Sequence, residues 1–355
     1  MSEPTMSHSP LGQAPVVAEV VRNGFVESVH HGVVALTGTD GSPQLAVGPV
    51  EAPILPRSSL KLLQAVAMLR AGAELEGELL ALACASHSGE PFHLEGTRRI
   101  LASVGLAESA LQNTPDSPID EQERRRWVRE GLDDSSLGQN CSGKHAGMLA
   151  ACRAAGWDTT TYLDPEHPLQ RLIVEVVEEL TGERVSALTV DGCGAPALAV
   201  STVGLARAFG TLSAADPATH EGRVAAAVRE HPAWLGGTRR DVTGLITAVP
   251  GLIAKDGAES VYAVGLADGR GLAVKITDGD DRARGVVATA VLRAAGAQDL
   301  APGVADALAR LDARAVVRGH GRPVGRVRAV VPGLDTLTRA GRGTDGPGMP
   351  STGAP

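Results

Sequence analysis

The spacing of apolar positions changes period twice along the chain, dividing it into a strand-forming stretch, a long helix-forming stretch and a second strand-forming one. Residues 16–47 are dense in valine and broken by Thr39-Asp40-Gly41-Ser42, which predicts a β-hairpin or meander. From Ser58 the spacing turns helical: Leu60, Leu63, Val66 and Ala67 line one side, and the pattern stops at Gly72. Helical periodicity recurs over residues 75–85, 93–104, 143–155, 169–180, 195–209 and 221–230. At Ser260 the strand pattern resumes, and 261–266 and 272–276 read as a hairpin about the turn Ala267-Asp268-Gly269-Arg270-Gly271. A helix over 283–295, a short one over 304–311 and a β-rich stretch over 315–331 complete the pattern.

Strands at both ends with helices between them argue for an α+β fold rather than repeated βαβ units. The expected architecture is an antiparallel sheet assembled from both termini (16–57 and 250–333) with a helical lobe inserted (58–249). No low-complexity linker divides 16–333, so the two lobes should share a cleft, where chemistry is expected. The Ser-, Pro- and Gly-rich ends, 1–15 and 334–355, read as a lead-in and a tail without structure.

Charge and composition narrow the function. The net charge of −8 over 355 residues leaves no basic face for a nucleic-acid backbone. No run of 18 apolar residues and no basic, apolar leader occurs, so neither membrane spanning nor export is expected, and the location is read as cytoplasmic. Cys84, Cys141, Cys152 and Cys193 are then expected as thiols. Of 33 basic residues only four are lysine: Lys61, Lys144, Lys255 and Lys275. Arginine stays charged, whereas a buried lysine can lose its proton and act as a base or a ligand, so each lysine in an arginine-biased chain is a candidate functional group.

Four segments carry that chemistry. In Arg57-Ser58-Ser59-Leu60-Lys61 the Ser-x-x-Lys spacing places a hydroxyl and an amine on one helical face, where a neutral lysine can activate the serine, as in penicillin-recognising hydrolases. Cys84-Ala85-Ser86-His87-Ser88-Gly89-Glu90 ends a helix in a polar turn, and Ser86, His87 or Ser88 could relay a proton there. Asn140-Cys141-Ser142-Gly143-Lys144-His145 opens another helix. Gly138 begins a Gly-x-x-x-x-Gly-Lys string resembling a phosphate loop, but His145 stands where the magnesium-binding Ser or Thr belongs and no apolar strand precedes it. A metal reading pairs Cys141 with Cys193, each in a Gly-flanked turn. Lys255, before the C-terminal hairpin, could lower the pKa of another lysine across the cleft.

Taken in order, these strings resemble the asparaginase II family, the class 3 or rhizobial-type L-asparaginases. Arg22-Asn23-Gly24-Phe25-Val26-Glu27-Ser28, Asp164-Pro165-Glu166-His167-Pro168 and Asp191-Gly192-Cys193-Gly194-Ala195-Pro196 add to the resemblance, which runs from about 17 to 331. It implies a fold like the penicillin-recognising enzymes (serine β-lactamases and glutaminases) and hydrolysis of L-asparagine to L-aspartate and ammonia. It also implies catalytic pairs Ser58 with Lys61 and Ser86 with Lys255, Ser58 being the nucleophile. Cys141, Lys144 and Cys193 match a zinc position, and Arg57, His145 and Asp191 match substrate-binding positions. A cytoplasmic homodimer is implied as well. Competing readings are a Ser-x-x-Lys acylase or β-lactamase, for which no Lys-Thr-Gly strand is present, and a non-catalytic zinc-binding protein.

Overall fold

A computed structural model describes residues 9–340. β1 (Val16–Arg22), β2 (Phe25–Thr37) and β3 (Pro43–Val47) come from the N-terminal part, and β4 (Pro53–Ile54) follows. A 3-10 turn, Arg57–Leu60, leads into α1 (Lys61–Arg70), then α2 (Gly77–Ala83), α3 (Pro91–Ser103), α4 (Glu121–Glu130), α5 (Ser142–Ala155) and α6 (Pro168–Thr181). β5 (Ala187–Val190) and β6 (Pro196–Ser201) interrupt the helices before α7 (Thr202–Ala214), α8 (His220–Glu230), α9 (Pro232–Leu235) and α10 (Asp241–Ala248). The C-terminal part supplies β7 (Ile253–Gly257), β8 (Val261–Gly265), β9 (Gly271–Ile276), α11 (Arg284–Ala294), α12 (Val304–Asp312), β10 (Val316–Gly319), β11 (Arg322–Ala329) and α13 (Leu334–Ala340).

The main sheet is antiparallel in the order β10-β11-β1-β2-β9-β8-β7, with β3 also on β2. Both termini therefore build one sheet, the α+β arrangement expected from the hydropathy pattern. β2 joins the two contributions: its first half pairs with β1, and Gly32 to Thr37 pair with β9. β7, β8 and β9 are buried at every residue because α7 and α11 both pack across this end of the sheet, so β8 reads as an unbroken apolar run while β7 and β9 carry buried lysines. In the helical lobe α1 is central, packed by α5, α6 and α8 and buried from Lys61 to Leu69.

The structure departs from the hydropathy reading in several places, α9 and α10 among them, which form where no helix is expected. Residues 195–209, read as one helix, begin as strand β6, paired with β4 and β5. Pro196 disfavours a helix through this segment, and α7 starts only where the Ser201 side chain accepts the Gly204 N–H. The apolar run hides the change because all six β6 residues are buried. α4 was not expected; only Trp127 of it is buried, so it has no apolar stripe. In the expected tail, Leu334–Ala340 form α13 against α11 and β3. In the lead-in, Pro10–Gln13 form a 3-10 turn. The expectation for residues 1–8 and 341–355 lies outside the described residues.

Candidate active site

The edge strand of the sheet and the first helix of the helical lobe meet at β7. Gly257 allows it: a Cβ there would stand 2.3 Å from the Pro56 carbonyl oxygen and 2.9 Å from Ser59 Oγ. The 3-10 turn is thus seated on the strand, and Ser59 Oγ donates to the Lys255 carbonyl oxygen (3.3 Å). Arg57 opens the turn at φ +54°, the left-handed region that a non-glycine residue enters only when its surroundings hold it there. A second close approach, Gly143 on the Leu82 carbonyl oxygen, brings the start of α5 against α2 and sets Cys141 beside Lys61.

After α2 the chain runs through 84–90, held on two sides. Ser86 N–H and Ser88 N–H donate to the carbonyl oxygens of Leu235 and Gly236, and His87 N–H donates to that of Asn140. This fixes the Ser86 hydroxyl between two lysines. Lys61 Nζ donates to Ser86 Oγ (3.0 Å), to the Ala85 carbonyl oxygen (2.6 Å) and to Cys141 Sγ (3.0 Å). Lys255 Nζ donates to Ser86 Oγ (3.0 Å) and to the carbonyl and carboxylate oxygens of Asp256 (2.7 Å each). Lys61, Lys144 and Lys255 are 1%, 2% and 0% exposed. Burial lowers the Lys255 pKa to about 8, with Asp256 opposing and Lys61 adding to the fall. Asp256 itself stays ionised against its burial because Lys255, Arg240 and Arg284 surround it.

The structure brings Lys61 and Lys255 onto one hydroxyl, Ser86. Ser58 is half-buried, and its hydroxyl makes no hydrogen bond among the described residues; it lines a narrow cavity with Arg57, Lys61, Gln64, Lys144 and Asp191, walled by Leu60, Pro196 and Leu198. Arg57 and Asp191 pair with each other, Nε and a terminal guanidinium nitrogen reaching Asp191 Oδ1 at 2.9 and 2.6 Å. Against its burial, Lys144 and Arg57 hold the Asp191 carboxyl below the usual range. His145 is buried beside Lys144. Its Nδ1 lies 2.8 Å from the Tyr162 hydroxyl, and its Nε2 has no partner. Burial, then Lys144 and Lys61, hold it neutral. A larger, apolar-walled cavity between α10, α11 and α12 contains none of these groups.

Cys141, Lys144 and Cys193 also converge. Lys144 Nζ donates to Cys193 Sγ (3.1 Å), and Cys141 Sγ is hydrogen-bonded to Lys61 Nζ (3.0 Å) and Asn140 Oδ1 (3.0 Å). The neighbouring Cys193 thiol, with Lys61 and Lys144 close by, holds Cys141 well below the usual thiol range despite burial, while Cys141 and burial push Cys193 up. Burial opposes the charge on Lys144, but both sulfurs and Asp191 outweigh it and raise its pKa. Among the described residues no group of three or more His, Cys, Asp or Glu is placed to hold a metal ion, so a site here would need the lysine amine as a ligand. Two thiolates and a neutral nitrogen are a donor set that Zn²⁺ accepts, and in chemistry the three residues fit it.

The L-asparaginase II family matches residues 18–329. The chain belongs to that family. Among curated proteins none matches it. Among solved structures the asparaginase-family chain is similar to Mglu in its native form in 4.3 M NaCl, at 14% identity and TM-score 0.37, covering 70% of this chain and 57% of that one. It is also similar to a β-lactamase from Mycobacterium bovis (16% identity, TM-score 0.41, covering 85% and 97%). A third is EstCE1, a hydrolase with promiscuous acyltransferase activity (12%, 0.39, 84% and 94%). These likenesses are distant, and the α+β assignment rests on the topology of the chain itself.

The sequence reading missed three residues of this site. Gln64 continues the three-residue spacing from Ser58 and Lys61, a signal that was there to follow. Asp256 adjoins Lys255 in sequence, but nothing in the pattern says it binds the neighbouring amine. Arg240, which pairs with Asp256, carries no local signal at all.

Proposed function

We propose that the protein hydrolyses L-asparagine to L-aspartate and ammonia, with Ser58 as nucleophile and Lys61, Ser86 and Lys255 as the proton chain behind it. The observation that carries the reading is the Ser86 hydroxyl bonded by two buried lysine amines next to a cavity that Ser58 lines. Family membership supports a hydrolase acting on an amide. Ser58 faces the cavity and Ser86 is buried, which favours Ser58 as the group that substrate meets.

With a pKa near 8, a fraction of Lys255 is uncharged at neutral pH. That amine takes the Ser86 proton, and Ser86 takes one from Lys61. Lys61, now neutral, accepts the Ser58 proton as Oγ attacks the carboxamide carbon. Returned from Lys61 to the amide nitrogen, the proton releases ammonia and leaves an aspartyl ester on Ser58. Water, losing a proton to the same amine, then cleaves the ester, and Ser58 regains its hydrogen.

Arg57 suits the substrate α-carboxylate and Asp191 the α-ammonium. They pair with each other, and an α-amino acid matches that pair sign for sign. His145, neutral with Nε2 unpartnered, belongs to the same binding set. Cys141, Lys144 and Cys193 would hold Zn²⁺, which when bound supplies fixed positive charge beside the substrate. Lys144 and Cys193 must give up their protons to bind it, so uptake should strengthen as pH rises. A cytoplasmic homodimer is part of the proposal; four free, buried cysteines are compatible with a reducing compartment.

Ammonia release from L-asparagine, compared with L-glutamine and with turnover of a chromogenic β-lactam, tests the reading. Release from L-asparagine is expected. β-Lactam turnover without it would favour a Ser-x-x-Lys acylase, and zinc binding without either activity a non-catalytic zinc protein.

A further inference from the structure

Gln64 stands one turn beyond Lys61 on the helical face that begins with Ser58, each three positions on from the last. It is 6% exposed, it lines the Ser58 cavity, and its Oε1 is buried with no hydrogen-bond partner. Folded proteins leave few buried acceptors unpaired, because an oxygen taken from water without a new donor is costly. The charged donors lining the cavity are engaged elsewhere, Lys61 with Ala85, Ser86 and Cys141, Lys144 with Cys193, and Arg57 with Asp191, while the Ser58 hydroxyl, also unpartnered there, is the group that gives up its hydrogen in the proposed attack. A group entering the cavity with a hydrogen to give would supply the missing donor and leave the Ser58 hydroxyl free to react.

We infer that Gln64 reads the carboxamide of the substrate, Oε1 accepting a hydrogen from its NH2 group. The inference rests on the asparaginase reading of the same site. An α-ammonium could also donate, but Asp191 offers it a carboxylate, a stronger acceptor than an amide oxygen. Gln64 shares the face of Ser58 and Lys61, the side on which the carboxamide carbon must lie to be attacked. Discrimination between substrate and product follows. L-Aspartate presents a carboxylate oxygen where L-asparagine presents NH2, so two acceptors would face each other with no hydrogen between them. Gln64 thus admits the amide and helps expel the acid.

The test compares wild type, Gln64→Met and Gln64→Glu as holoenzymes, measuring kcat and KM for L-asparagine and the calorimetric Kd for L-aspartate. Gln64→Met keeps the volume and removes the acceptor. It is expected to lose about 10- to 100-fold in kcat/KM, the range for leaving a buried partner unpaired, while aspartate binds as well as before or better. The preference for amide over acid then falls. Gln64→Glu keeps an acceptor and adds charge, so aspartate binding weakens and the preference rises. A merely structural role would not move the ratio in opposite directions. A ratio of Kd to KM equal to that of wild type in both variants overturns the inference. Should Gln64→Met not fold, the ratio in Gln64→Glu decides alone. The wild-type arm keeps the two failures apart: no ammonia from L-asparagine overturns the asparaginase reading and this inference with it.

Discussion

Replacing Lys255 with methionine removes the buried amine of β7 while keeping most of its stem, and the effect on stability should depend on pH. Burial lowers the Lys255 pKa from 10.5 to about 8 even with Asp256 at 2.7 Å. Below about pH 8 folded and unfolded chains both hold the proton, and the fold bears the whole cost of a buried ammonium. Between about 8 and 10.5 the unfolded chain binds more protons than the folded one, so stability rises with pH across that window. At ~1.4 kcal/mol per pH unit, the drop from 10.5 to about 8 is worth roughly 3 kcal/mol. Urea unfolding of wild type and Lys255→Met in small steps from neutral pH to above 10 reads this contribution, because groups away from β7 titrate alike in both proteins and Asp256, beside Arg240 and Arg284, is a carboxylate across this range. Wild type should gain about 2 to 3 kcal/mol on the variant, mostly above pH 8. Wild-type kcat/KM should climb through the same midpoint as the amine becomes available. Parallel stability curves would mean that Lys255 titrates near its ordinary value, and the proton chain would lose its terminal base.

Gly257→Ala places a Cβ against the Pro56 carbonyl oxygen and should push the Arg57–Leu60 turn off β7. A loss of about 1 to 3 kcal/mol in urea melts is expected, with a fall on the order of 100-fold in kcat/KM from misplacing Ser58; unchanged kinetics would contradict the seating of Ser58 on this strand. Ser86→Ala removes the hydroxyl shared by Lys61 and Lys255 and should lower kcat by about 10² to 10⁴ with little change in KM, read by steady-state kinetics. Wild type should carry about one zinc per chain by elemental analysis and Cys193→Ser almost none; equal zinc in both would reject the three-ligand set.

The parts of the fold legible in the sequence are those whose burial leaves a period. The β8–β9 hairpin and α1 are of this kind, because α1 begins where the strand run ends and is closed by Gly72. β6 reads as the start of a helix because a fully buried strand and a buried helix both appear as apolar runs. α4 left no trace because solvent surrounds it except at Trp127. For the site, scarcity of lysine was an informative signal, since three of the four lysines meet around Ser86 and the two sulfurs. The fourth shows the limit of that signal. Lys275 is also buried, but it donates to the carbonyl oxygens of Glu259 and Ile276 and ties down the turn at Glu259 and Ser260, both at positive φ. Spacing paired Ser58 with Lys61, yet the Lys61 amine lies on Ser86, because the path of residues 84–90 is set by docking onto Leu235, Gly236 and Asn140, distant in sequence.

Ammonia release from L-asparagine by wild type, Ser58→Ala and Lys61→Arg, measured side by side, tests the proposed chemistry most directly. Lys61→Arg keeps the charge but cannot become a neutral amine. Wild type should release ammonia, and both variants should fall to a small residue of its rate. Full activity in Ser58→Ala, or in Lys61→Arg, would contradict a serine activated by an uncharged lysine.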